Sequence, residues 1–195
     1  VNYYRNDNNL GTIYNFNRTF ELSKGKYFLW SAYDDRRECT FISECVAQLE
    51  LDPGAVLCQT HVDVYIEENG DPLYKATLDS FVDKKGLIER YRETLKSFPA
   101  VALYGVYRSS AVKKTKLLRN SIGADLCFIK ELSIYGCFIG VPKVLFYYIG
   151  RKQWNSVEQD YYVFTGKKNM RWWYQPFILV LWTNIKNIFS SNISL

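Results

Sequence analysis

The hydrophobic pattern changes period repeatedly along this chain. Between Gly11 and Gly25, Ile13, Phe16, Phe20 and Leu22 keep near-helical spacing, which predicts a helix that Gly25 ends by adopting positive φ. Residues 27–30 are short, aromatic and apolar, the pattern of a buried strand, and they run into Asp34-Asp35. Phe41, Ile42, Cys45, Val46 and Leu49 then mark a helix that ends near Asp52-Pro53-Gly54. Over residues 55–66 apolar and polar positions largely alternate, predicting a strand closed by the turn chemistry of Asn69-Gly70-Asp71-Pro72.

Further on, Leu87, Ile88, Tyr91 and Leu95 share one helical face within 84–98, and 101–107 reads as another buried strand. Residues 109–118 predict a short helix with a basic outer face. Leu126, Ile129, Leu132 and Ser133 give helix spacing over 124–135, Gly136 ends it, and 138–148 supplies one or two strands. Such alternation of β and α predicts an α/β fold: a mostly parallel, Rossmann-like sheet flanked by helices, with ligands at the carboxyl ends of its strands. Asp34-Asp35 lies at one such strand end. Beyond Gly150 the chain is polar through Glu158 to Asp160 and then aromatic at Arg171-Trp172-Trp173-Tyr174; residues 176–195 suit an amphipathic helix. The expected division is a catalytic domain over 1–150 and an aromatic-rich extension over 151–195.

With 195 residues the chain can bury a substantial core without a metal or disulfide scaffold. The net charge of +5 is spread among Asp and Glu rather than massed, so a nucleic-acid tract is not indicated. Five cysteines (Cys39, Cys45, Cys58, Cys127, Cys137) lack C-x-x-C spacing and mostly sit in apolar segments, which suits reduced thiols and a cytoplasmic setting. Aromatic residues make up 17% of the chain; most suit a core, and the rest offer flat surfaces for sugars or bases. The longest apolar run, 177–182, falls well short of the ~20 residues needed to cross a bilayer. The chain opens on Val1 rather than Met and on a polar stretch, 2–9, so an upstream segment is expected.

Two adjacent carboxylates after a buried strand suit a hard divalent cation such as Mg²⁺ or Mn²⁺, which takes oxygen ligands and usually binds one or two carboxylates plus substrate phosphates. A capped helix start explains the Asp-Asp pair as readily. The wider frame adds spacing: Asn9, Gly11, Asn15, Asn17, Gly25 and Tyr27 precede Asp34-Asp35. Residues 8–11 and 24–35 resemble the N-x-G helix, G-x-Y strand and acidic metal motif of glycosyltransferase family 2. Similarity continues through Leu49-Glu50, Pro53, Asn69-Gly70, the segment 103–108 and Ile122-Gly123-Ala124-Asp125, covering roughly the first 150 residues.

The resemblance implies a glycosyltransferase type A fold and an inverting transfer of sugar from a nucleotide-sugar donor to a glycan, lipid-linked or other hydroxyl acceptor, in cell-surface polysaccharide biosynthesis. By position, Asp35 would be the metal ligand for Mn²⁺ or Mg²⁺; Asp34, Asn9 and Gly11 would bind donor; Asp125 would be the general base. Ala32 stands where the family often has another Asp, and Ala124 where it commonly has a second acid, so only Asp125 is carried over and Glu131 is not. Asp125 also reads as a helix-start acid, which the helix dipole would keep ionised. His61 points either to the sugar or to a structural role. Gln153-Trp154 lacks the Arg-Trp of the processive Q-x-x-R-W motif, which favours single addition.

The family's first strands, which bind nucleobase and ribose, would lie upstream of Asn2, so the expectation is a truncated nucleotide half. The alternative is a noncatalytic remnant that holds glycan, membrane or protein. Trp172, Trp173, Phe177 and Trp182 beside Arg171 and Lys186 suit either contact of 171–195 with a membrane surface, which would place the protein peripherally on the inner face, or a helix buried against the domain.

Overall fold

A computed structural model describes residues 2–66, 71–77, 86–96, 100–150 and 156–166, together with 168, 182, 185 and 186. Its elements in chain order are α1 (Thr12–Leu22), β1 (Tyr27–Phe28), β2 (Arg36–Arg37), α2 (Phe41–Leu51), β3 (Ala55–Tyr65), β4 (Tyr74–Ala76), α3 (Leu87–Lys96), a 3-10 turn (Ala100–Tyr104), β5 (Val106–Arg108), α4 (Ser109–Val112), α5 (Ala124–Leu132), β6 (Cys137–Ile149) and α6 (Val157–Thr165).

The described strands form one sheet in the order β1-β5-β3-β6-β2, with β4 also paired to β3. The α/β class expected from the sequence is present, but the sheet is mixed rather than mostly parallel. Only β3 and β6 run parallel; the pairings β1–β5, β2–β6, β3–β4 and β3–β5 are antiparallel. The difference comes from the short strands. Each of β1, β2, β4 and β5 is only two or three residues long and joins the sheet through loops, whereas a parallel pair needs a long crossover. β3 and β6 have one, through α3 and α5.

Other boundaries also shift. α1 ends at Leu22 with the Ser23 amide donating to the Phe20 carbonyl, so Gly25 is not its cap and has no positive φ. Of residues 101–107, expected in a strand, 101–104 belong to the 3-10 turn, and only 106–108 pair in the sheet. The basic helix expected over 109–118 stops after one turn. Asn69-Gly70 and the tail helix at 176–195 fall outside the described residues, except for positions 182, 185 and 186.

Two apolar clusters pack on the sheet. One gathers Phe20, Trp30, Leu57, Tyr107, Phe128 and Leu132 beneath α1 and α5; the other gathers Phe41, Cys45, Val62, Val106 and Phe146 beneath α2. Between them the first six residues of β3 are all buried, so its alternation begins only at His61. The buried Gln59 amide is satisfied, donating to the Val101 carbonyl at 3.0 Å and accepting from the Thr60 amide at 3.0 Å. Cys45, Cys58 and Cys127 are buried, as small core residues should be, while Cys39 is exposed. α6 packs on α1, and among the described residues no helix is long and apolar enough to cross a membrane.

Candidate functional site

Trp30 moors the loop that carries the acidic pair. Its indole nitrogen donates to the Phe16 carbonyl at 2.9 Å, and its ring meets Phe28, Tyr107 and Phe128 edge-on at 4.9 to 5.4 Å. The chain leaves β1 at one edge of the sheet, passes through Trp30 and re-enters as β2 at the other edge. Asp34 and Asp35 stand just before that re-entry, Asp34 exposed and Asp35 with its side chain fully buried.

Arg37 follows two residues on, at the end of β2. Its guanidinium lies 4.0 Å from the Asp35 carboxylate, donates to the Ser31 hydroxyl at 2.9 Å and the Trp30 carbonyl at 3.3 Å, and sits 4.3 Å from the Phe146 ring centroid. Neither carboxylate oxygen of Asp35 has a hydrogen-bond partner among the described residues. Burial pushes the Asp35 carboxyl up to about 6; Arg37 and the nearby amides of Ile149 and Ala32 pull it down, while the charge of Asp34 raises it further.

A buried, unsatisfied carboxylate beside an exposed one is a donor set that fits a hard divalent cation completed by phosphate oxygens. Among the described residues no three His, Cys, Asp or Glu side chains converge, so the pair would share the ion with substrate and water.

Asp125 is the second residue of α5, whose N-cap Gly123 has a φ of 74° in the left-handed region. Burial pushes the Asp125 carboxyl up, and the amides of Leu126 and Asp125 itself only partly offset this. The helix start therefore does not dominate, contrary to the expectation from the dipole alone. A carboxylate with a raised pKa is the stronger proton acceptor.

The charges of the acidic pair and of Asp125 both bear on Tyr104. Burial is the largest cause of the rise in the Tyr104 phenol's pKa, followed by the charges of Tyr148, Asp35, Asp125 and Asp34, so both acidic sites act on one hydroxyl. Glu131, on α5 with Asp125, faces elsewhere. It accepts from the Lys116 amide at 2.9 Å and lies 3.7 Å from Arg119, holding the loop that leads to Asp125.

Asn9 and Gly11 stand apart, at the start of α1. The Asn9 side chain accepts from the Gly11 amide at 2.9 Å and lines a polar groove of about 660 Å³ with Asn15 and Arg18. Gly11 has φ 84°, and a Cβ there would lie 2.7 Å from the Gly166 nitrogen, so this glycine lets α1 and α6 approach. His61 is half-buried in β3, its carbonyl accepting from the Thr60 hydroxyl at 2.9 Å.

Sequence reasoning missed Arg37, Tyr104 and Tyr107. Arg37 had a signal in its i+2 spacing from Asp35. Tyr104 and Tyr107 had none, because apolar and aromatic runs do not reveal which ring faces a site.

No family model matches the sequence, and no curated protein is similar to it. Among solved structures the chain is similar to S. aureus TarS residues 1–349, with a TM-score of 0.50 and 12% identity over 93% of this chain and 52% of that one. At this identity the likeness concerns the fold alone, and the chain spans about half the length of that structure.

Proposed function

We propose that the chain is the catalytic portion of a metal-dependent, inverting glycosyltransferase of family 2 type, which moves a sugar from a nucleotide-sugar donor to a hydroxyl of a glycan or lipid-linked acceptor. One observation carries this assignment: the charges of two carboxylate sites of different chemistry, Asp34-Asp35 and Asp125, both bear on a single phenol, Tyr104, within a glycosyltransferase-like fold.

Asp35, with Asp34, would hold Mn²⁺ or Mg²⁺. When bound, the ion supplies positive charge to the leaving diphosphate. Arg37 keeps the Asp35 carboxylate in place and favours its charged form. Asp34, exposed beside it, is assigned to the donor's ribose or diphosphate, and the Asn9–Gly11 loop to the donor side. Asp125 would accept the proton of the attacking hydroxyl, on the face of the sugar opposite the departing diphosphate. Its partly desolvated carboxylate is suited to that step because burial raises its basicity.

The test is release of nucleoside diphosphate from a panel of nucleotide sugars by the full-length gene product. Release that requires Mn²⁺ or Mg²⁺, stops with chelator and returns on re-addition supports the assignment. Binding of glycan without any metal-dependent cleavage would favour the noncatalytic alternative. The expected membrane-facing segment, 171–195, lies outside the described residues except for positions 182, 185 and 186, where Lys186 sits 5.7 Å from the ring of the exposed Trp182.

A further inference from the structure

Along the carboxyl half of β3, alternation puts a second set of side chains on the sheet face away from α2. Val62 and Val64 of β3, Ala76 of β4 and Phe146 of β6 are buried in the cluster beneath α2, and the Arg37 guanidinium of β2 lies over Phe146 on that side. Successive strand residues point to opposite faces, so Asp63, Tyr65, Lys75, Tyr147 and Arg36 project from the other one. The register brings them into line: Lys75 is opposite Asp63, Asp63 opposite Tyr147, and Tyr147 opposite Arg36, one row across four strands. With neighbouring strands about 4.8 Å apart, the row is about 14 Å long. Tyr65 stands two residues along β3 from Asp63, its ring centroid 6.4 Å from that of Tyr147, and the Tyr147 hydroxyl donates to Glu38 at 2.9 Å. Asp63, Tyr65 and Tyr147 are half-buried, and Lys75, Arg36 and Glu38 are exposed.

We propose that this row is a binding face for a neutral glycan chain, which lies across β4, β3, β6 and β2 with its sugar rings against Tyr65 and Tyr147. Lys75 and Arg36 balance Asp63 and Glu38, so the face selects neither a polyanion nor a polycation. What it offers a ligand is aromatic surface beside donors and acceptors held on a sheet. A polyhydroxyl chain matches both, because its ring faces are apolar and its hydroxyls donate and accept. An acyl chain or an apolar protein surface laid here would desolvate four charged groups without replacing their hydrogen bonds to water. Such binding needs neither metal nor transfer, and Arg37, the partner of Asp35, is on the opposite face, so it is independent of the assignment of Asp35 and Asp125.

The test is affinity electrophoresis of the full-length gene product, with chelator present, through native gels containing hydroxyethylcellulose, glycogen, galactomannan or the polyanion heparin. At least one of the three neutral polysaccharides should retard the wild type. The double variant Tyr65→Ala with Tyr147→Ala removes both rings and should weaken that binding by about tenfold. Asp63→Ala with Lys75→Ala leaves the rings in place and lies outside the apolar clusters; it should weaken binding by about three- to tenfold, and it decides the matter if the ring variant does not fold. Retardation of the deciding variant equal to that of the wild type overturns the inference, as does a wild type retarded by heparin alone or by no polysaccharide. A dimer that the ring variant dissociates, with no retardation by any neutral polysaccharide, would make this face a self-association surface instead.

Discussion

Arg37 lies 4.0 Å from the buried Asp35 carboxylate, the only charged side chain paired with it among the described residues. The two positions are separated by one residue: Asp35 stands in the loop just before β2, and β2 supplies its counter-charge. Breaking a buried pair by removing one partner leaves an uncompensated charge and typically costs about 3–5 kcal/mol. Arg37→Gln should therefore destabilise the protein strongly at pH 8. At pH 5, below the Asp35 pKa of about 6, the carboxyl is mostly protonated and the penalty should shrink. Urea unfolding at the two pH values checks this, and equal penalties would mean that Arg37 stabilises mainly through Phe146 and Phe41.

The raised Asp35 pKa has a sign that sets it against stability. Its folded value, about 6, exceeds the ordinary 3.8, so between these values the folded state binds more protons than the unfolded one. Stability from this group is present at low pH and is lost as pH rises through about 6. Without metal, Asp35→Asn should be more stable than wild type at pH 8 by about 1–3 kcal/mol, with the advantage vanishing near pH 4. A variant less stable at pH 8 would contradict this. In the same window, Mn²⁺ affinity of the wild type should fall as pH drops below about 6, because protons compete for the carboxylate.

Gly11 holds α1 against α6. Its φ of 84° and the 2.7 Å approach that a Cβ would make to Gly166 both oppose any side chain. Gly11→Ala should cost more than about 1 kcal/mol through backbone strain alone, and more again through displacement of α6. Thermal unfolding measures it; a neutral substitution would mean that the helices separate freely.

Glu131 and Asp125 share α5 but should respond oppositely to substitution. Glu131→Ala removes the acceptor of the Lys116 amide and the partner of Arg119, so a loss of about 1–3 kcal/mol in stability is expected. Asp125→Asn should leave stability nearly unchanged or raise it, since burial already disfavours its charge. Chemical denaturation of both variants separates the helix latch from the site residue.

The sequence made most of the helices legible because their apolar spacing is long and regular: α2, α3 and α5 fall where Phe41 to Leu49, Leu87 to Leu95 and Leu126 to Leu132 place them. Strand direction was not legible. A run such as 27–30 carries no record of whether its neighbour is parallel, and the two-residue pairings of β1 and β2 are fixed by loops and tertiary contacts. The apolar stretch 101–107 fits a strand or a buried turn equally by periodicity; Tyr107 decides it by drawing its hydroxyl back to the carbonyls of Ala102 and Leu103. At the site, the acidic pair and Asp125 were marked by motif spacing, but the influence of their charges on Tyr104 depends on packing across the sheet. Asn9 and Gly11 matched the same motif, and the structure gives them a turn and a helix contact at the start of α1.

The most direct test of the proposed chemistry separates donor binding from transfer in the full-length gene product. Asp35→Asn should abolish Mn²⁺-dependent binding of the donor nucleotide sugar. Asp125→Asn should bind donor as the wild type does and lose transfer by a factor on the order of a hundred or more, since it keeps the size of the side chain and removes the proton acceptor. Near-normal transfer by Asp125→Asn with saturating donor and acceptor, or Mn²⁺-dependent donor affinity unchanged in Asp35→Asn, would contradict the assignment of these two carboxylates.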